Sequence, residues 1–289
     1  MIFFALQSRA GGWKGYDRWV PPLPWTTNQL KKLGFCIRDE MPIPDSLPSY
    51  DEVMVFYNDL AADTQAKIRG LDWAPLLGDR VPEVTSRPKT IDTLRQKLQR
   101  DRSTPLPSVQ DVAGVRFEAE MTLDEQDAVA TAIAGYFDHD LKTCIRDMRN
   151  DPHSGYRAVH LWLRLPGRVE VQIRTHLQGQ WANTYEAMAD VLGREIRYDE
   201  VPKDEAAMRL VDSLQKLSSD GIGVLEERRA AIRRAFDLIQ TTLGDIPVDP
   251  RVDKLRSYES DMDEFEDTVK TSLADIKKSF DTMRIHKKG

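Results

Sequence analysis

The stretch Tyr156-Arg157-Ala158-Val159-His160-Leu161-Trp162-Leu163-Arg164-Leu165-Pro166-Gly167-Arg168-Val169-Glu170-Val171-Gln172-Ile173-Arg174-Thr175 decides the fold. On either side of Pro166-Gly167 the residues alternate with period two, which predicts an antiparallel hairpin. In its first strand Val159, Leu161 and Leu163 face away from Tyr156, Ala158, His160 and Trp162. In the second, Val169, Val171 and Ile173 oppose a row of Glu170, Gln172 and Arg174. Both strands read as buried on at least one side, so the polar row needs partners or a ligand. A carboxylate in such a place is costly unless it is paired, metal-bound or protonated.

Working outward, Leu177, Trp181, Tyr185 and Met188 make one face of a following helix. Upstream, residues 109–119 read as a strand, and Thr122 with Glu125 forms a capping box opening a helix that carries Val129, Ile133 and Phe137. Tyr50, Val53, Phe56, Tyr57 and Leu60 fall at helical intervals after a proline-rich connector at 42–48, giving a helix to about Arg69. Residues 70–88, punctuated by Gly70, Pro75, Gly78, Pro82 and Pro88, read as irregular. Residues 90–102 form a polar helix around Ile91, Leu94 and Leu98, and 105–108 a second connector. Beyond Pro202 the chain reads as helical, broken at Ser218-Ser219-Asp220-Gly221 and near Pro247 and Pro250. In the last segment Leu255, Tyr258, Met262, Phe265, Val269, Leu273, Ile276, Phe280 and Met283 approximate a heptad seam, for packing on the chain itself or on a partner helix. The element order predicts an α+β fold: a mixed, mainly antiparallel sheet flanked by helices, with helical N- and C-terminal extensions.

Composition sets outer limits. With 289 residues, 40% hydrophobic and 30% charged, the chain is an ordinary globular protein and not a disordered or collagen-like one. Cys36 and Cys144 supply no CxxC pair, so a reducing compartment and no structural zinc are expected. The apolar start, residues 1–6, is too short for an export signal, and no run approaches a membrane span, so a cytoplasmic location is expected. The net charge of −6 is unevenly spread: residues 1–38 carry Arg9, Lys14, Arg18, Lys31, Lys32 and Arg38 against Asp17, a net +5. Trp13, Tyr16, Trp19 and Trp25 lie in the same stretch, which suits either core packing or RNA contact through stacking and phosphate neutralisation.

Asp111 begins the sequence Asp111-Val112-Ala113-Gly114-Val115-Arg116, which combines an acid, a bulge-permitting glycine and an arginine. If the strands are neighbours, Asp111 and Glu170 can share a divalent cation, and two carboxylates without a histidine cluster suit Mg²⁺ better than zinc. Lys97 and Arg100, on one helix face, join Arg87 and Lys89 as either a polyphosphate clamp or a solvated basic surface. His160 fits a satisfied core histidine as well as a site residue.

Ser86-Arg87-Pro88-Lys89, then the Asp111–Arg116 run, Gly155-Tyr156-Arg157-Ala158-Val159-His160, Glu170-Val171-Gln172-Ile173-Arg174-Thr175, and finally Gln178 with Trp181-Ala182 together resemble the RelA/SpoT synthetase domain. The resemblance spans about residues 87–198 and implies transfer of the β,γ-pyrophosphate of ATP to a ribose 3′-hydroxyl, usually that of GDP or GTP, giving (p)ppGpp. It implies that Arg87 and Arg116 sandwich the adenine, while Lys89, Lys97 and Arg100 hold the ATP phosphates. Asp111 and Glu170 would bind Mg²⁺, and Glu170 would also take the 3′-hydroxyl proton. Tyr156 would stack on the acceptor base, with Gln172, Arg174 and His160 orienting acceptor or phosphates. The implied organisation is a basic and aromatic extension at 1–45, a pyrophosphokinase domain at 46–245 and an amphipathic helix at 246–289.

Two departures qualify the resemblance. Glu186-Ala187 stands where many members have Glu-His, and His139-Asp140 is an isolated pair that cannot rebuild the hydrolase half of longer members. The expected protein makes product without degrading it. Toxic members of the family instead modify the 3′ end of tRNA, and the basic N-terminus and the C-terminal seam would then serve as an RNA contact and a docking face for an antitoxin. Self-association through the seam is a further option. A nucleotide-binding regulator without catalysis would have little use for both Asp111 and Glu170.

Overall fold

Short polar side chains decide where the helices start. Thr26 with Gln29, Ser49 with Glu52 and Thr175 with Gln178 form reciprocal capping boxes. Thr122 and Glu125 do the same, the Thr122 N–H donating to Glu125 Oε2 at 2.8 Å and the Glu125 N–H to Thr122 Oγ1 at 3.2 Å. The computed structural model describes residues 22–243 and 250–288. Arg9, Trp13, Lys14, Tyr16, Arg18, Trp19 and Pro247 lie outside the described residues.

The elements are α1 (Thr27–Arg38), α2 (Tyr50–Arg69), β1 (Glu83–Pro88), α3 (Ile91–Arg100), β2 (Ala113–Ala119), α4 (Leu123–Tyr136), β3 (Ile145–Asp147), β4 (Val159–Arg164), β5 (Arg168–Thr175), α5 (His176–Leu192), α6 (Glu205–Lys216), α7 (Val224–Leu243) and α8 (Pro250–Lys288). They form a mixed five-stranded sheet in the order β1-β2-β5-β4-β3 with helices about it, so the α+β expectation is met. The hairpin is antiparallel, with His160 opposite Gln172 and Trp162 opposite Glu170. Val159, Leu161, Leu163, Val169, Val171 and Ile173 are all fully buried, as the alternation requires. Among the described residues no helix is long and apolar enough to cross a membrane.

The chain divides into two compact units, each assembled from separate segments. Of the described residues, the first holds 22–119, 128–146 and 159–173. Here β1 pairs antiparallel with β2, and Gln65 Nε2 and Arg69 Nη2, one turn apart on α2, both donate to the Val84 carbonyl at 2.8 and 2.7 Å. Trp73 meets Phe117 edge-on at 4.8 Å in the core. The second unit holds residues 120–127, 147–158, 174–243 and 250–288. Its core gathers Leu177, Trp181, Tyr185 and Met188 of α5 with Val211, Leu214, Ile222 and Leu225 and with Val269, Leu273 and Phe280 of α8. The C-terminal seam therefore packs on its own chain, although Tyr258, Phe265 and Met283 remain exposed.

Three local expectations are corrected. Residues 70–88 contain a helical turn (Ala74–Leu77) and the edge strand β1, whose proline sits at its last position, where an edge strand tolerates a missing N–H. Asp111 does not open a strand: a 3₁₀ turn at Leu106–Ser108 precedes it and β2 begins two residues later, at Ala113. Ser218 to Gly221 is not a break, because the helix continues there with π winding over Leu217–Gly223.

Candidate active site

In the first unit the acidic and basic candidates meet. The Asp111 carboxylate accepts from Lys89 Nζ at 2.6 Å through Oδ2 and from Lys97 Nζ at 2.7 Å through Oδ1. Lys97 is presented by α3, whose start is fixed by the Thr90 side chain accepting the Thr93 N–H. Lys89 sits just after β1, so the turn between β1 and α3 brings both ammonium groups to one carboxylate. Arg100 lies on the exposed last turn of α3. Arg87 occupies the register position opposite Gly114 and Arg116 the position opposite Thr85. The Arg87 side chain lies outside the described part of the chain.

Glu170 is 8% exposed. Its Oε1 lies 3.3 Å from His160 Nδ1 and its Oε2 accepts from Gln172 Nε2 at 2.7 Å. The buried His160 is thus a partner of the acid and not merely a core residue. Burial pushes the Glu170 carboxyl up, but the hydrogen bond and charge of His160, the Gln172 amide and the Lys97 charge outweigh it and hold it at about 2. Burial likewise pushes Asp111 up, Lys89 and Lys97 pull it down, and Glu170 pushes it up again, leaving it below its ordinary value. The two acids therefore feel one another, Glu170 from β5 and Asp111 from the turn that leads into the adjacent β2.

This donor set suits a hard divalent cation. Asp111 and Glu170 offer only oxygen, and among the described residues no group of three or more His, Cys, Asp and Glu is gathered to hold a metal. Such a site completes its coordination with phosphate oxygens and water, as Mg²⁺ sites commonly do.

In the second unit Arg174, 3% exposed, donates to the Tyr156 hydroxyl through Nη2 at 2.7 Å and Nε at 3.2 Å, and its guanidinium lies 5.0 Å from the Tyr156 ring centroid. The preceding Gly155 adopts φ +81, and a Cβ there would stand 2.9 Å from Trp181 Cζ2. A side chain at that position is excluded both by the backbone and by the indole behind it.

Two polar atoms beside the acids escaped notice in the sequence. Gln110 Oε1 and Trp162 Nε1 are buried without a hydrogen-bond partner. Gln110 precedes Asp111, and Trp162 is the register partner of Glu170, with the Arg146 guanidinium 4.4 Å from its ring centroid. The alternation puts Trp162 on the His160 face, but only the packed structure reveals that its N–H is unpaired.

The depressed carboxyls set a pH dependence. A carboxyl lowered on folding adds stability above its ordinary value and loses it as pH falls through the lowered one. In metal-free buffer the melting temperature of the wild type, relative to Glu170→Gln, is expected to fall between pH 4.5 and about 2. Parallel melting curves across that window would show that Glu170 is not held low.

The sequence model of the family described as "Region found in RelA / SpoT proteins" matches residues 86–190. The uncharacterized protein Rv1366 of Mycobacterium tuberculosis is 48% identical over 210 residues, covering 72% of this chain and 73% of that one. The uncharacterized protein Mb1401 of Mycobacterium bovis matches with the same identity and coverage. Among solved structures, small alarmone synthetase 1 from Bacillus subtilis aligns at 22% identity and a TM-score of 0.49, over 65% of this chain and 97% of that one.

Proposed function

Because the chain belongs to the RelA/SpoT family, we propose that it is a Mg²⁺-dependent pyrophosphokinase that transfers the β,γ-pyrophosphate of ATP to the 3′-hydroxyl of GDP or GTP, giving (p)ppGpp. The observation that carries this reading is the Lys89–Asp111–Lys97 cluster together with the buried Glu170. Lys89 and Lys97 share one carboxylate, whose single charge offsets only one of theirs, so the cluster keeps a net positive charge for a polyphosphate, and Asp111 would be the residue to hold a cation beside it. Arg100 adds charge at the same helix end, and Arg87 and Arg116 take the adenine.

In the transfer, a bond forms between the acceptor 3′-oxygen and the β-phosphorus as the bond from that phosphorus to the α,β-bridging oxygen breaks. AMP leaves with the bridging oxygen, and the 3′-hydroxyl proton passes to Glu170. A carboxylate held at about 2 is ionised throughout the physiological range but is a weak base, so its main work is to orient the hydroxyl and accept the proton late. That suffices where the transition state is loose and catalysis is chiefly positioning and charge stabilisation. Mg²⁺, when bound, neutralises charge developing on the phosphate oxygens. His160 and Gln172 hold the Glu170 carboxylate in one orientation, and Tyr156, backed by Arg174, stacks on the acceptor base.

The test offers the purified protein Mg²⁺ and γ-labelled ATP with GDP, GTP or deacylated tRNA in parallel. Label in (p)ppGpp is the expected result. Label on the tRNA alone would replace the acceptor and make the protein a translation-blocking toxin, whereas no transfer to any acceptor would sink the pyrophosphokinase reading.

A further inference from the structure

One carboxylate from beyond the family match ties together three of the sequence motifs. Glu226, near the start of α7 and 5% exposed, accepts from Thr175 Oγ1 at 2.5 Å through Oε1. Its Oε2 accepts from Arg157 Nη1 at 2.8 Å and Gln178 Nε2 at 3.1 Å. Arg157, Thr175 and Gln178 are themselves 4%, 4% and 2% exposed. All four residues belong to the second unit, and the match ends at residue 190.

The surrounding backbone is shaped to allow this convergence. A Cβ on Gly223 would stand 2.9 Å from Arg157 Nη1, so glycine leaves the guanidinium its path to Glu226. The π winding of Leu217–Gly223 ends there, and within it Ser218 Oγ donates to the Gly155 carbonyl at 2.6 Å. Such π segments recur at functional sites. An apolar core of similar volume would stabilise as well as a buried ion pair or better, so energy alone does not account for this network. What a fully bonded buried network supplies is a single orientation. The residues it fixes are the chain neighbours of Tyr156 and Arg174, which are bonded to each other.

We propose that Glu226, acting through Arg157 and Thr175, is a positioning residue for the acceptor nucleotide, so that the helices after the matched region take part in acceptor recognition. This rests on the reading of Tyr156 as the acceptor's stacking partner.

The experiment measures binding of fluorescent GDP and, separately, of a fluorescent ATP analogue to the full chain, with acceptor KM and kcat alongside. Glu226→Gln is expected to weaken GDP binding and raise the acceptor KM by about 10- to 100-fold, with ATP affinity unchanged. Because the single change leaves Arg157 buried without its counter-charge, the double variant Arg157→Met/Glu226→Met is read as well, and thermal melting confirms that it is folded. It is expected to show the same acceptor-selective loss. Wild-type GDP affinity in the folded double variant, or equal losses for GDP and ATP, would overturn the inference. Tyr156→Ala separates the two levels. If that change weakens GDP binding and the Glu226 variants do not, only the positioning role falls. If wild type and Tyr156→Ala bind GDP alike, the acceptor reading falls and takes this inference with it.

Discussion

Glu170→Gln is expected to reduce pyrophosphate transfer by about 10²- to 10⁴-fold while leaving ATP binding near that of the wild type. The amide has the size of the carboxylate and can still accept the Gln172 hydrogen bond, so the local structure is retained. It loses the negative charge that faces the cation and the capacity to take the 3′-hydroxyl proton. ATP affinity is expected to persist because Lys89 and Lys97 make their contacts with Asp111, not with Glu170. Label transfer under saturating substrates measures the first quantity and equilibrium dialysis of labelled ATP the second. Wild-type turnover in the variant would remove Glu170 from the mechanism.

The second large effect concerns stability. Trp181, 2% exposed, stacks on Tyr185 at 4.8 Å and 19°, donates its indole N–H to the Leu214 carbonyl at 2.7 Å, and backs Gly155. Trp181→Ala removes the largest fully buried side chain among the described residues, opens a cavity and leaves the Leu214 carbonyl without that donor. The expected destabilisation is about 3–5 kcal/mol, read from the midpoint of chemical denaturation. The Gly155 turn that leads into Tyr156 loses its support at the same time, so acceptor binding should weaken even where the variant remains folded. A destabilisation below about 1 kcal/mol would mean that the core closes over the missing ring.

The hairpin was legible in the sequence because its two strands alternate strictly and Pro166-Gly167 separates them. The capping box at Thr122 is equally local, and it forms. The edge strand β1 was not legible: Pro82 and Pro88 read as breakers, and its strand character comes from pairing with β2. The π segment escaped for a related reason, since Ser218, Asp220 and Gly221 look like a turn until packing extends the helix through them. Among site residues, Asp111 and Glu170 stood out by chemistry and pattern. Lys89 and Lys97 were read as phosphate ligands, and their grip on Asp111 came only from the fold. Glu226 carries no sequence signal, because a glutamate in the first turn of a helix ordinarily answers the helix dipole in water. Only the convergence of Arg157, Thr175 and Gln178 distinguishes it.

The two donors that α2 sends to the Val84 carbonyl also bear on how these molecules behave when crowded. An outer strand with open carbonyls invites a strand from another molecule and can seed polymerisation. Here Gln65 and Arg69 already occupy one of the acceptors an incoming chain would use, the Val84 carbonyl, and the opposite border is the three-residue β3, too short to template a ladder. Each border thus carries a feature that disfavours a strand from a neighbouring molecule, a capped carbonyl on one side and a very short strand on the other.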